Sequence, residues 1–237
     1  VTGVQTCALP IWAGQLSDTF TLAHELGHSV HSYLAIQNQP YVYGSYPIFT
    51  AEVASTFNEL LLLDHLLRAT DQRDRRLFLL DHHLEQMTGT VVRQTMFAEF
   101  ELRAHELVEG GDTLTADALG ELYHGILAAY WGPEAQLDPA RSPRTWSRIP
   151  HFYYNFYVYQ YATAYSAAAA LSRMVREGGE AERERYLDIL RSGCSRYPVE
   201  TLALGGVDMS TRAPYRDVLR LYGERLDEIE RLLDGKE

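Results

Sequence analysis

The sequence predicts an all-α fold, and three observations carry that expectation. Apolar residues recur at helical spacing through nearly all of the 237 residues, while period-2 alternation is scarce, so any sheet is small. The pairs Gly110-Gly111 and Gly178-Gly179 punctuate helices rather than separate domains. No internal repeat or low-complexity segment interrupts the pattern. Helices are expected over about 18–37, 50–69, 72–109, 115–130, 152–177, 180–192 and 212–234, with a short one near 198–204.

The first helix has the clearest signature. Ser17, Asp18 and Thr19 offer N-cap oxygens, and Phe20, Leu22, Ala23, Leu26, Gly27, Val30 and Leu34 follow at helical spacing. Gly27 is costly inside a helix, which points to a second backbone packing close against it. Pro40 blocks continuation, and the connection that follows, Tyr41 to Pro47, is rich in tyrosine. Thr50 is placed to cap the second helix, putting Glu52 in its first turn. The third helix, 72–109, is long enough to bend at Gly89. A proline-rich loop carrying Pro133, Pro139, Pro143 and Pro150 precedes the aromatic run from Phe152 to Tyr161. If that run is helical, Tyr154, Tyr157, Tyr161 and Tyr165 form one stripe. Buried tyrosines in such number need partners for their hydroxyls.

The chemistry is concentrated in His24-Glu25-Leu26-Gly27-His28. On a helix, positions i and i+4 share a face, so His24 and His28 can aim two imidazoles at one metal ion. Glu25 lies about 100° round the helix, within reach of a water at the metal without ligating the metal itself. An accidental HExxH is expected in roughly one chain in a hundred of this length, so a site is the stronger reading. Catalytic zinc takes a third protein ligand and leaves one position open, and Glu52 is the candidate. Ser55, Thr56 and Glu59 follow Glu52 on one face and can hydrogen-bond a ligand. His31 shares the histidine face but lies about 10 Å along the axis from His24, which suits packing better than ligation. His65, His82, His83, His105 and His124 lack partners at ligand spacing and read as core-edge or solvated.

These residues resemble a known family. HELGHSVHSYL, followed after about two dozen residues by AEVASTFNE, is similar to oligoendopeptidase F among the thimet-oligopeptidase-like zinc metallopeptidases. The resemblance continues in TVVRQTMFAEFE at 90–101, WSRIPHFYYNFYVYQYATAYSAA at 146–168 and GVDMSTRAPYRDVL at 206–219. Ala164 stands where relatives usually carry glycine, a change without expected chemical consequence. The resemblance implies one zinc ion on His24, His28 and Glu52, with Glu25 as general base. It also implies that His151 and a tyrosine of this segment stabilise the tetrahedral intermediate; Tyr161 is favoured, then Tyr157 and Tyr154. Tyr43 and Gly44, with Tyr154 and Tyr157, are candidate substrate-binding residues. The implied reaction is hydrolysis of short peptides. A different HExxH enzyme such as an aminopeptidase, or an inert helical module, are the alternatives. The four core residues His24, Glu25, His28 and Glu52 are intact, and no anchor for a free α-amine is visible.

Residues 1–11, VTGVQTCALPI, resemble the in-frame translation of a short sequencing adaptor and lack the basic start and long apolar core of a secretory signal. The expected organisation is therefore an artefact over 1–11 and a C-terminal catalytic domain over 12–237, with an N-terminal part of the parent missing. Loss of that part predicts exposed apolar surface at 152–165 and at Leu60-Leu61-Leu62-Leu63. One Lys against 20 Arg suggests a GC-rich bacterial source. With Cys7 set aside, Cys194 stands alone, which excludes a disulfide framework and fits a cytoplasmic setting. No apolar run is long enough to span a bilayer, and a net charge of −11 argues against nucleic acid as a partner.

Overall fold

The computed structural model describes residues 12–235, so the expectation for residues 1–11 lies outside the described residues. The described residues are all-α and hold no strand. They form α1 (Leu16–Asn38), α2 (Ile48–Arg68), α3 (Arg73–Met87), α4 (Arg93–Glu109), α5 (Ala116–Trp131), α6 (Tyr159–Gly178), α7 (Glu180–Arg191), α8 (Pro198–Leu204) and α9 (Ala213–Leu233). Short 3₁₀ turns span Tyr41–Tyr43, Ser142–Arg148 and Pro150–Tyr154. None of the described helices is long and apolar enough to cross a membrane.

The described residues divide into two compact units: residues 12–87 together with 163–235, and residues Thr88 to Ala162. In the first, α1 and α2 pair antiparallel, since Asn58 and Glu59 meet Ala23 and His24 while Glu52 lies near His28. The crossing point is Gly27. A Cβ there would lie 2.5 Å from the Ala54 carbonyl oxygen and 2.6 Å from the Ser55 Cα, so no side chain fits. The glycine costs about 1 kcal/mol of helix propensity and allows backbone contact in return. Phe20, Leu63, Leu67, Leu79 and Leu80 form the core beside them, lined by Leu16, Ile229 and Leu232. Arg76 ties α3 to α9 by a 2.5 Å ion pair with Glu228 and donates to the Leu67 carbonyl. Within α6, Ala164, Ala167, Ala168, Ala169 and Ala170 are all buried, small side chains suited to close packing.

The outward face of α1 is apolar. Leu22, Leu26, Val30, Tyr33 and Ile36 follow one another along the helix and are 41% to 65% exposed. Of the four-leucine run in α2, Leu60 and Leu63 are instead buried, because residues three apart share the face turned to the core.

In the second unit α4 continues from a π-helical turn, Thr88–Val92, which contains Gly89. Thr115 caps α5, its hydroxyl accepting the Ala118 N–H. Phe97, Phe100, Tyr123, Ile126 and Val158 form this unit's core with Trp146 and Phe152 against them.

Three expected local structures differ. Ser17, Asp18 and Thr19 do not cap α1: the helix starts earlier, at Leu16 with Gln15 as N-cap, and the Asp18 carboxylate accepts the Gln15 N–H from inside the first turn. Thr50 does not cap α2: the helix starts earlier, at Ile48 with Pro47 as N-cap, and the Thr50 hydroxyl donates to the Pro47 carbonyl from inside the first turn. Glu52 accordingly sits one turn deeper. The expected helix over 152–177 begins only at Tyr159. Before it, Asn155 (φ 48°) and Phe156 (φ 55°) adopt left-handed backbone, which costs roughly 1–2 kcal/mol per residue outside glycine. The carboxylate of buried Glu101 accepts the Phe156 N–H at 2.6 Å and holds this turn. The tyrosine stripe therefore does not form as drawn, since Tyr154 and Tyr157 lie outside the helix carrying Tyr161 and Tyr165.

Candidate metal centre

The α1–α2 pairing brings three donors together. His24 Nε2 and His28 Nε2 lie 3.2 Å apart, and Glu52 Oε2 lies 3.4 Å from the first and 3.9 Å from the second. The i,i+4 spacing stacks the histidines on one face, with rings 4.8 Å apart at 85°. Glu52 arrives from the neighbouring helix because Gly27 lets the two backbones approach. All three side chains are partly buried.

Partners surround these donors. Glu59 Oε1 sits 2.5 Å from His24 Nδ1, and a carboxylate there fixes the tautomer with hydrogen on Nδ1, leaving Nε2 as a lone-pair donor. The Ser55 hydroxyl donates to Glu52 Oε2 at 3.2 Å. Burial disfavours the charged form of His24, but the hydrogen bond and charge of Glu59, helped by Glu52 and Glu25, raise its pKa above 6.5. Burial lowers the pKa of His28, a shift opposed by Glu52 and reinforced by His24. Glu25 is half-buried on α1, one residue round from His24, and its charge is felt by both histidines.

His31 takes no part in the cluster. Its ring stacks on Tyr46 at 3.6 Å and 7°, it is 1% exposed, and burial pushes its pKa down to about 3, so it stays neutral. Tyr46 in turn bonds the Ser32 hydroxyl at 2.7 Å and the His28 carbonyl at 3.2 Å, anchoring the connection to α1. The same connection is held from the α7–α8 turn, where the Cys194 N–H donates to the Tyr43 carbonyl. Gly193 (φ 52°) is required there, as a Cβ would fall 2.0 Å from that carbonyl oxygen. Tyr43 thus sits on a fixed, exposed turn, and Gly44 follows it.

His151, Tyr154, Tyr157 and Tyr161 lie in the second unit, where they gather. The His151 ring is 5.6 Å from Tyr157 and 6.1 Å from Tyr161, and Tyr154 is 5.9 Å from Tyr157. The Tyr157 and Tyr161 hydroxyls are 3.5 Å apart. Two residues that hold these segments in place carried no signal in the sequence. Gln86 donates to Glu59 Oε2 at 3.0 Å, and Glu101 holds the turn after His151. Both act across tens of residues, beyond any local spacing rule.

An HExxH pair joined by a glutamate from the next helix is a donor set of the kind that catalytic metal sites use. Residues 12–221 match the model of peptidase family M3, and the chain belongs to that family. It is 47% identical over 231 residues to oligopeptidase PepF of Bacillus subtilis, covering 98% of this chain and 34% of that protein. It is 45% identical over 223 residues to the chromosomal oligoendopeptidase F of Lactococcus lactis subsp. cremoris, covering 94% and 37% respectively. Among solved structures, oligoendopeptidase-F from Enterococcus faecium superposes with a TM-score of 0.83 at 43% identity, over 93% of this chain and 40% of that one. The chain thus spans little more than a third of the length of these curated relatives.

Proposed function

We propose that residues 12–237 are the catalytic part of a zinc-dependent endopeptidase acting on short peptides. The observation that carries this reading is the donor spacing of 3.2, 3.4 and 3.9 Å among His24, His28 and Glu52. Donors round a tetrahedral zinc with bonds of about 2.0–2.1 Å stand roughly 3.3 Å apart, so the three fit one ion and leave a fourth position open. Two imidazole nitrogens 3.2 Å apart beside a carboxylate form a donor set that could hold a cation. Bound there, zinc would supply Lewis acidity toward water and the scissile carbonyl.

The chain's own residues do the rest. Glu59 keeps the His24 proton on Nδ1 and its Nε2 free. Glu25 takes a proton from the attacking water and returns it to the leaving amine. His151 and Tyr161, by the family resemblance, donate to the developing oxyanion. Tyr43, Gly44, Tyr154 and Tyr157 are proposed to contact the peptide. The name oligoendopeptidase carried by a similar protein supports an endopeptidase over an aminopeptidase. The test pairs metal content with the digest of an internally quenched peptide. Glu25→Gln should keep the metal and lose at least about a hundredfold in kcat. Near-normal cleavage by that variant would refute the mechanism.

A further inference from the structure

We propose that Gln86 of α3 is a positioning residue for the metal centre, acting through Glu59; the inference rests on the zinc reading above. Glu59 must present one oxygen to His24 Nδ1, yet a carboxylate has two equivalent oxygens and a terminal torsion with broad minima. Gln86 Nε2 donates to Oε2 at 3.0 Å while Oε1 faces His24 at 2.5 Å, so both oxygens are assigned and the torsion is fixed. An amide suits this role because it donates without a charge. A lysine or arginine there would neutralise the carboxylate and weaken its hold on the His24 proton. Water is the competitor to be excluded: a cleft of about 340 Å³ opens beside the contact, lined by Ser17, Phe20, Thr21 and His82 as well as the three members of the relay. Without Gln86, water from this cleft would solvate Oε2 and let the carboxylate swing.

Three helices thereby share one relay. α1 supplies His24, α2 supplies Glu59 and α3 supplies Gln86. The third helix matters to the metal although none of its residues belongs to the donor triplet.

The test uses the chain as it stands, with two readouts. Zinc affinity is measured by competition with a chelator of known strength, and the His24 Nδ1–H proton is followed by NMR at alkaline pH without metal. Gln86→Met keeps length and packing but cannot donate. It should bind zinc about three- to tenfold more weakly, below the tenfold-or-more loss of a partner in direct contact with a ligand. Its Nδ1–H resonance should broaden or shift while the unfolding midpoint stays put. Gln86→Glu, which sets a second carboxylate against Glu59, should lose more affinity than Gln86→Met. Wild-type affinity and an unmoved resonance in both variants would overturn the proposal. Absence of zinc binding by the wild-type chain would instead overturn the proposed function. The resonance would then still decide whether Gln86 positions Glu59, because the contact exists without metal.

Discussion

Gly27→Ala tests the link between backbone packing and metal geometry. By propensity alone the change should stabilise α1 by about 1 kcal/mol, since alanine is the better helix former. The structure predicts the reverse. The new Cβ would meet the Ala54 carbonyl oxygen at 2.5 Å, the Ser55 Cα at 2.6 Å and the Ala54 carbonyl carbon at 2.8 Å. These are backbone atoms of α2 and cannot rotate away. Restoring an ordinary contact of 3.4 Å needs about 0.9 Å of separation at the crossing point. Overpacking of this kind costs roughly 1–3 kcal/mol, so the net loss after the propensity gain is about 0–2 kcal/mol. The metal centre should suffer more. His24 and His28 sit on one helix and Glu52 on the other, so the same shift stretches the separations of 3.4 and 3.9 Å. We expect zinc affinity to fall by more than about tenfold while the unfolding midpoint drops by only a few degrees. Chelator competition and thermal unfolding of the metal-free chain measure the two effects separately. Wild-type zinc affinity, with a raised midpoint, would show that the helices do not rely on Gly27 and refute the reasoning.

Further outcomes follow from the same geometry. Glu52→Ala should abolish stoichiometric zinc binding whereas His31→Ala should leave it intact; equal losses by elemental analysis would mean the third ligand is misassigned. His31 and His83 are buried neutral with pKa values near 3, below the unfolded value of 6.5. The unfolded chain therefore binds more protons between those limits, and stability falls as pH drops from 6.5 toward 3, by about 1.4 kcal/mol per pH unit for each histidine. His31→Phe keeps the stack on Tyr46 and should flatten this acid limb in a pH series of denaturant melts; an unchanged slope would count against a neutral His31. The apolar stripe on α1 should drive concentration-dependent association of the chain, and Leu26→Glu should reduce it in sedimentation runs. Identical profiles for the two would show that the stripe is not sticky.

How much of this was legible in the sequence depended on range. The α1 helix, the shared face of His24 and His28 and the close approach at Gly27 all follow from spacing within one helix, which local pattern captures. Glu52 is legible because it lies on the next helix in sequence, but its depth is not: Thr50 offers a cap hydroxyl, yet the helix starts at Ile48 after Pro47. The failure at 152–158 was of another kind. Its tyrosines fit a helical stripe, and nothing nearby reveals that Glu101, on a separate helix, captures the Phe156 N–H and holds two left-handed residues. Gln86 was silent for the same reason, and the burial of Leu60 and Leu63 was a matter of which face met the core.

The donor triplet also bears on the order of folding events. Its members come from a single helical hairpin, with His24 and Glu52 separated by one short connection and no contribution from α3 to α9. Closing so short a loop is entropically cheap, and local contacts of this kind form early. A metal ion held by that hairpin would therefore stabilise the folding transition state nearly as much as the native state. In stopped-flow experiments zinc should then steepen the refolding rate and leave the unfolding rate almost untouched. The ion would act on how the chain reaches its structure more than on how long it keeps it.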